Sequence, residues 1–355
     1  MSYPTSMLTE TSRIYFEGPG WEKLTQTLTH NDYSQVFVLT DTNTNQDCLR
    51  IFKTKIDYNF SVLMMEAGEH HKHLQTCTQL WRELSELGAD RNALLINLGG
   101  GVVTDLGGFV ACTYKRGIDF INVPTTLLSM VDASVGGKTG IDLDQLKNQI
   151  GVIKEPDFVL VDPVFLKSLP ETEFRSGYAE MLKHGLIQDR AYFEKLIDYK
   201  ADYHKVGGHI YHSIHIKSKV VSQDPYEKNF RKILNYGHTL GHAIESYFLQ
   251  HPSQQRLLHG EAIAIGMVME AQLSHTSCGL NTEERDLIKK VFGKIYPKIS
   301  LNSNDILAIK KLLRHDKKNR SGDVRFALLE SIGKPVIDQV VSEEAIDSAI
   351  AFYQD

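Results

Sequence analysis

The chain has 355 residues, 42% hydrophobic and 23% charged, the proportions of a soluble globular protein with room for about two domains. A formal net charge of -5 argues against a general nucleic-acid or membrane-surface binder. Four scattered cysteines (Cys48, Cys77, Cys112 and Cys278) form no Cys-x-x-Cys pair, which speaks for a reducing compartment and against a disulfide framework or a cysteine metal site.

From the N-terminus, residues 1–14 are polar and lack the apolar stretch of a signal peptide. No apolar run reaches the roughly 18 residues of a membrane span, so a cytoplasmic protein without a membrane partner is expected. Apolar runs at 36–39, 60–65, 93–98, 120–123 and 158–161 read as strands, with a helix over 74–87. Continuous apolar runs separated by helices predict a parallel sheet covered on both faces. Ligands of such sheets bind beyond the carboxyl ends of the strands.

Those ends carry polar residues here. The first run ends in Thr40-Asp41-Thr42-Asn43, the second is followed by Glu69 and Lys72, and the third feeds into Gly99-Gly100-Gly101 and then Asp105. Asp41 suits either a ribose acceptor or a helix cap. The glycines suit either a phosphate cradle or a tight turn, and they lack the spacing of Gly-x-Gly-x-x-Gly. Further on, Val123-Pro124-Thr125-Thr126 leads through Asp132 to Gly136-Gly137-Lys138-Thr139-Gly140. This turn resembles the end of a P-loop, but Asp132 stands where its first glycine belongs, which argues against a P-loop hydrolase. Lys138 among glycines, with Lys147-Asn148 close behind, suits an anionic substrate; a charged surface loop accounts for the same residues.

Past about residue 166 helical periodicity takes over, at 173–186, 208–222, 238–249, 259–275, 283–292 and 303–313, with one late strand over 323–329 and loops at 250–255 and 319–323. The expected organisation is an α/β domain over 1–165 and a mostly α-helical domain over 166–355. In the second, His238 and His242 lie one helical turn apart, and a third histidine arrives on the next helix with His259. That grouping suits a zinc-type divalent ion with one ligand missing. A lone His-x-x-x-His pair also arises by chance among 15 histidines, and Thr239 replaces the glutamate that a zinc protease needs. The run from Arg175 to His184 offers the missing ligand, although Glu180 and Lys183, three apart, read alone as an ordinary solvated ion pair.

Taken in order, Gly99-Gly-Gly-Val-Val-Thr-Asp105, Lys115-Arg116-Gly117, Val123-Pro-Thr-Thr-Leu-Leu128, Val131-Asp132, Gly136-Gly-Lys-Thr-Gly140, Lys147-Asn148, Ala179-Glu180, Asn235-Tyr-Gly-His238, Ala243-Ile-Glu245, His259-Gly-Glu261 and Asp316-Lys-Lys318 closely resemble the dehydroquinate synthase family. The match runs from about Asp41 to Lys318. The resemblance implies an N-terminal Rossmann-like NAD-binding domain, a helical metal-binding domain and an active site in the cleft between them. It implies zinc or cobalt on Glu180, His238 and His259, and moves His242 from the ligand set to the substrate. It implies NAD contacts from Asp41, Asn43, Glu69, Lys72, Gly99, Gly100, Gly101, Asp105, Thr125, Thr126, Lys138 and Lys147. Substrate contacts are implied for Asp132, Lys138, Lys147, Asn148, Lys183, Lys217, Arg231, Asn235, His242 and Lys317, with Lys318 an alternative for the last. Arg116 is implied to reach the neighbouring subunit's site in a homodimer.

The implied substrate is 3-deoxy-D-arabino-heptulosonate 7-phosphate, whose carboxylate and phosphate match the many lysines and the arginine. The implied product is 3-dehydroquinate, formed by transient oxidation at carbon 5, loss of phosphate, return of the hydride and an intramolecular aldol closure. The enzyme would be a lyase of the shikimate pathway, with no net redox. No side chain stands out as general base, so the substrate phosphate is expected to take the carbon-6 proton. One stretch departs from the family pattern: Asp142-Leu143-Asp144-Gln145-Leu146 stands where the family usually has Asn-His and a glycine before the Lys-Asn pair. A related sugar-phosphate cyclase and an iron- or zinc-type polyol dehydrogenase are the rival readings.

Overall fold

The computed structural model describes residues 3–9, 12–144, 146–198, 205–251, 257–313 and 324–355. Packing divides the chain into two compact units, Met1–Pro170 with Ala201–Ser222, and Glu171–Lys200 with Gln223–Asp355. Lys317, Lys318 and most of the expected loops 250–255 and 319–323 lie outside the described residues.

The first unit is built on strands β1 (Ser6–Leu8), β2 (Arg13–Phe16), β3 (Val36–Asp41), β4 (Ser61–Met65), β5 (Leu94–Gly99), β6 (Asp119–Pro124), β7 (Lys138–Leu143), β8 (Leu146–Ile153) and β9 (Val159–Val161). Seven of them form one sheet in the order β1-β2-β9-β6-β5-β3-β4, and every pair is parallel except β1 with β2. All residues of β3 and β5 are buried, which explains why these strands read as unbroken apolar runs. The strand order reverses between β3 and β5. That reversal opens a crevice at their carboxyl ends, where Asp41 and Gly99 stand. The helix Gly101–Thr113 lies close on the sheet because Gly107 has no side chain; a Cβ there would come within 2.0 Å of Asn97 Oδ1.

Residues 138–153, where the sequence reading placed no strand, form the antiparallel hairpin β7–β8. Its polar composition hid it, since most of β8 is exposed or half-buried and no apolar alternation develops. The antiparallel pair β1–β2 also went unread, its segments being only three and four residues long.

The second unit contains helices Glu171–Gln188, Arg190–Ile197, His238–Gln250, His259–Cys278, Thr282–Ile295, Ser303–Leu313 and Glu343–Gln354, with the antiparallel hairpin β10 (Arg325–Ser331) and β11 (Lys334–Val340). The helix His259–Cys278 is buried along nearly its whole length, as its apolar residues on every face require. Helix Gly207–Gln223, read above with the helical half, falls in the first unit. Among the described residues no helix is long and apolar enough to cross a membrane.

Candidate active site

At the crevice of the first unit, Asp41 ends β3 and caps the helix Thr42–Asp47. Its Oδ1 accepts from the Thr44 amide at 2.7 Å, and Thr44 Oγ1 accepts from the Asp41 amide at 2.9 Å. The capping use of Asp41 is therefore real, and Asn43 stands exposed on the first turn of that helix. Next door, β5 runs straight into the helix Gly101–Thr113, whose N-cap, Gly100, carries no side chain to satisfy the leading amides. Those amides are the free donors an anion needs. A Cβ on Gly99 would lie 2.5 Å from Val103 Cβ, and one on Gly100 2.9 Å from Thr126 Cγ2. Both glycines are thus demanded by the turn itself. Thr125 donates its amide to Gly99 O at 3.0 Å, and Thr126 Oγ1 accepts from the Ser129 amide at 3.1 Å, so both threonines brace the same turn.

The β7–β8 hairpin brings a charged network to this end of the unit. Lys72 Nζ donates to Asp105 Oδ2 and to Asn148 Oδ1, each at 2.7 Å, and Lys147 pairs with Glu69 at 3.2 Å. Asp142, part of the departure from the family pattern, shapes the hairpin: its Oδ1 accepts from the Asn148 amide at 2.7 Å, and its own amide donates to Lys72 O at 2.8 Å. Asn148 is held at φ 51, a left-handed conformation that asparagine tolerates better than most residues. Burial pushes the Asp105 carboxyl up, with Lys72 opposing. Burial pulls Lys72 down, but the carboxylates of Asp105, Glu69 and Asp142 outweigh it and hold the ammonium above its ordinary value. Burial and Glu69 likewise raise Asp142. The cluster sets three carboxyls against two lysines, and that excess of acid is what holds the Lys72 ammonium above its ordinary value.

Also in the first unit, Lys217 donates to Asp132 O at 2.5 Å and to Asp132 Oδ1 at 2.7 Å. Asp132 sits in a π-helical turn, Ser129–Ala133, a local widening frequent at functional sites. Lys138 opens β7 with an exposed side chain, after Gly136 and Gly137 at φ 99 and 67. Arg116 is exposed at the end of a turn in which Lys115, Arg116 and Gly117 all have positive φ.

In the second unit Glu180, His238 and His259 converge, each offering one ligand atom, with the three atoms within 4.8 Å of one another. Glu180 Oε1 lies 3.5 Å from His238 Nε2 and 3.8 Å from His259 Nε2. The tautomers are set by what the other ring nitrogens meet. His238 Nδ1 faces Tyr236 O at 3.2 Å, and His259 Nδ1 faces Glu245 Oε2 at 3.3 Å. An acceptor at each Nδ1 requires a proton there and turns Nε2 toward Glu180, the side from which a divalent ion would be bound. Burial pulls the His259 imidazole down, but Glu245 and Glu180 outweigh it and raise its pKa to about 9. Once His259 gives up its Nε2 proton, two imidazoles and one carboxylate make a donor set that suits zinc or cobalt. His242, which spacing alone put among the ligands, lies beside this set, its ring 5.1 Å from His238 and 5.8 Å from His259; it also forms a second acceptor group with Glu245 and His259.

Glycines bring the three candidate ligands together. A Cβ on Gly260 would lie 2.0 Å from Ser176 O, which seats the start of His259–Cys278 against the helix that carries Glu180; the Gly260 amide donates to Ser176 Oγ at 2.9 Å. A Cβ on Gly266 would lie 2.0 Å from Gly237 O, at the start of the helix that carries His238. The ion pair of Lys183 with Glu180, expected to be solvated, is buried, with side chains 1% and 0% exposed. Removing both charges from water is costly unless further charges share the site, so a structural surface pair is the wrong description.

Substrate candidates Arg231 and Asn235 lie in the segment that leads to His238. Asp224 gathers the amides of Lys228, Asn229 and Arg231; burial raises its carboxyl, but these amides outweigh that and hold it low. The Arg231 guanidinium, 2% exposed as a residue, donates to Pro225 O at 2.8 Å, and Asn235 Nδ2 donates to Glu227 Oε1 at 2.8 Å. Sequence reading missed Ser176, Asp224 and Glu270. Each acts through backbone amides and so leaves no motif.

Family models described as 3-dehydroquinate synthase N-terminal and 3-dehydroquinate synthase C-terminal match residues 62–176 and 177–319. The chain is 40% identical to a 3-dehydroquinate synthase of Parabacteroides distasonis, over 91% of this chain and 92% of that one. It is 43% identical to one from Prochlorococcus marinus strain MIT 9312, over 78% and 77%. Among solved structures it resembles 2-deoxy-scyllo-inosose synthase complexed with carbaglucose-6-phosphate, NAD+ and Co2+ (TM-score 0.82, 26% identity, 96% of each chain). The likeness to a 2-epi-5-epi-valiolone synthase from Streptomyces hygroscopicus (TM-score 0.77, 22% identity, 99% of each chain) concerns the fold alone.

Proposed function

The chain belongs to the 3-dehydroquinate synthase family, and from that premise we propose that it converts 3-deoxy-D-arabino-heptulosonate 7-phosphate to 3-dehydroquinate and phosphate. The observation that carries the reading is the convergence of Glu180, His238 and His259 with both imidazoles turned to present Nε2. These three would hold a divalent metal. NAD would be held after β3 and β5 by Asp41, Asn43, Gly99, Gly100, Gly101, Thr125 and Thr126, with Glu69, Lys72 and Asp105. When bound, NAD supplies a reversible hydride acceptor and the divalent ion a Lewis acid for the oxygen at carbon 5.

The chain's own residues bind, orient and neutralise. Lys138, Lys147, Lys217 and Arg231 supply charge-assisted hydrogen bonds to the substrate carboxylate and phosphate. Asp132 holds the Lys217 ammonium in place, and Asn148 is set by Asp142. Asn235 and His242 hold substrate hydroxyls, and Lys183 balances the Glu180 charge inside the fold. The substrate's own phosphate takes the carbon-6 proton. The enzyme works as a homodimer to which Arg116 contributes across the subunits.

The test is phosphate release from the heptulosonate phosphate, with and without NAD and with and without a chelator, while absorbance at the NADH band is followed. Release that needs NAD and is abolished by the chelator, without accumulating NADH, is the expected result. NADH build-up without phosphate would overturn the reading in favour of a dehydrogenase. Absence of both signals would transfer it to a cyclase for another sugar phosphate.

A further inference from the structure

His259 has a carboxylate on its Nδ1, from Glu245, whereas the Nδ1 of His238 faces the backbone carbonyl of Tyr236. That carbonyl belongs to the Tyr236–Gly237 peptide, and the amide of the same peptide donates to Glu270 Oε2 at 2.6 Å. Glu270 is fully buried (0% exposed) on the helix His259–Cys278, and its Oε1 accepts from the Leu240 amide at 3.2 Å. The helix that begins at His238 has no side-chain cap of its own. Glu270 supplies that cap from another helix, with its charge at the positive end of the dipole. The peptide has little freedom elsewhere: Gly237 sits at φ 79, a Cβ there would lie 2.3 Å from Met267 Cγ, and Tyr236 donates its hydroxyl to Met267 O at 3.0 Å.

We propose that Glu270 is a positioning residue for the metal centre, acting on His238 through the Tyr236–Gly237 peptide. The carboxylate, the peptide and the imidazole form a chain of hydrogen bonds running Glu270 Oε2, Gly237 N–H, Tyr236 C=O, His238 Nδ1–H. Each bond polarises the next, so the carboxylate strengthens the acceptor at Tyr236 O, fixes the Nδ1–H tautomer and makes Nε2 a better donor. Glu270 therefore does for His238, through one peptide, what Glu245 does directly for His259. Its helix also carries His259, so a single rigid element sets both imidazoles.

The inference rests on the reading of Glu180, His238 and His259 as metal ligands, and the experiment separates the two. Apo wild type, Glu270→Gln and His259→Ala are titrated with Co2+, reading the visible ligand-field spectrum, and with Zn2+ against a competing chelator. Glutamine puts an NH2 group where Glu270 has its second oxygen, so one of the two amides, Gly237 or Leu240, would face a donor. The Gln variant is expected to bind about tenfold more weakly or worse, with a changed Co2+ spectrum, while His259→Ala loses the spectrum. Wild-type affinity and spectrum in folded Glu270→Gln, with His259→Ala still failing, overturn the inference alone, including where the variant merely melts at a lower temperature. Wild-type binding by His259→Ala overturns the ligand reading and the inference with it. Should Glu270→Gln not fold, Glu270→Asp, which withdraws the charge by one methylene, is measured instead. Unchanged affinity and spectrum there refute the relay.

Discussion

Replacing Lys72 with methionine tests the acid-rich network of the first unit. The substitution keeps most of the unbranched side chain and removes the charge that faces Asp105 and Asn148. Breaking a buried pair while its partner stays charged costs ~3–5 kcal/mol, and the Asp105 side chain keeps 20% exposure, which points to the lower end. The loss has a ceiling, because Asp105 can take up a proton. With an unfolded carboxyl near 3.9 and ~1.4 kcal/mol per pH unit, that ceiling is ~4 kcal/mol at pH 7 and ~1.5 kcal/mol at pH 5. The sign follows from the direction of the shift: burial already raises Asp105, and loss of Lys72 raises it further. A carboxyl whose folded value lies above its unfolded one favours folding at low pH and loses that contribution as pH rises through the folded value. The variant should therefore lose about 3 kcal/mol at pH 7 and at most ~1.5 kcal/mol at pH 5, each against wild type at the same pH. Both tryptophans, Trp21 and Trp81, lie in the first unit, so urea unfolding followed by their fluorescence reports that unit. Equal losses at the two pH values, or none at pH 7, would refute the reasoning. Adding Asp105→Asn should restore most of the loss.

Other outcomes follow from the same geometry. His259→Ala should abolish tight metal binding, and full metal occupancy by elemental analysis would remove His259 from the ligand set. Because Glu245 and Glu180 hold His259 protonated up to about pH 9, metal binding at pH 7.5 should release about one proton, read by calorimetry in buffers of different ionisation enthalpy; no buffer dependence would contradict this. Gly260→Ala drives a Cβ into Ser176 O and should cost about 3 kcal/mol in urea unfolding and weaken metal binding as well. Arg116→Ala should cripple turnover, and mixing it with a Lys138→Ala variant should recover part of the activity if the site is shared between subunits; no recovery would count against that sharing.

The sequence by itself determined the parallel sheet, because strands covered on both faces must be apolar throughout, as 36–39 and 93–98 are. It also put Glu180, His238 and His259 in a metal-binding family set, through motifs whose order along the chain is specific. Spacing alone chose differently, pairing His238 with His242, because helical periodicity shows which residues share a face and says nothing about a ligand from another helix. Tertiary structure decided the rest. Whether Glu180 and Lys183 form a solvated pair or a buried one depends on what covers their helix, and the same three-residue spacing fits both. The β7–β8 hairpin carries Lys147 and Asn148 with little apolar alternation, so only backbone pairing reveals it. Glu270 lies thirty-three residues from the amide it holds, on a helix that reads as uniformly apolar around it. Its contribution passes through hydrogen bonds to main chain, which any residue provides, so only the folded chain could disclose it.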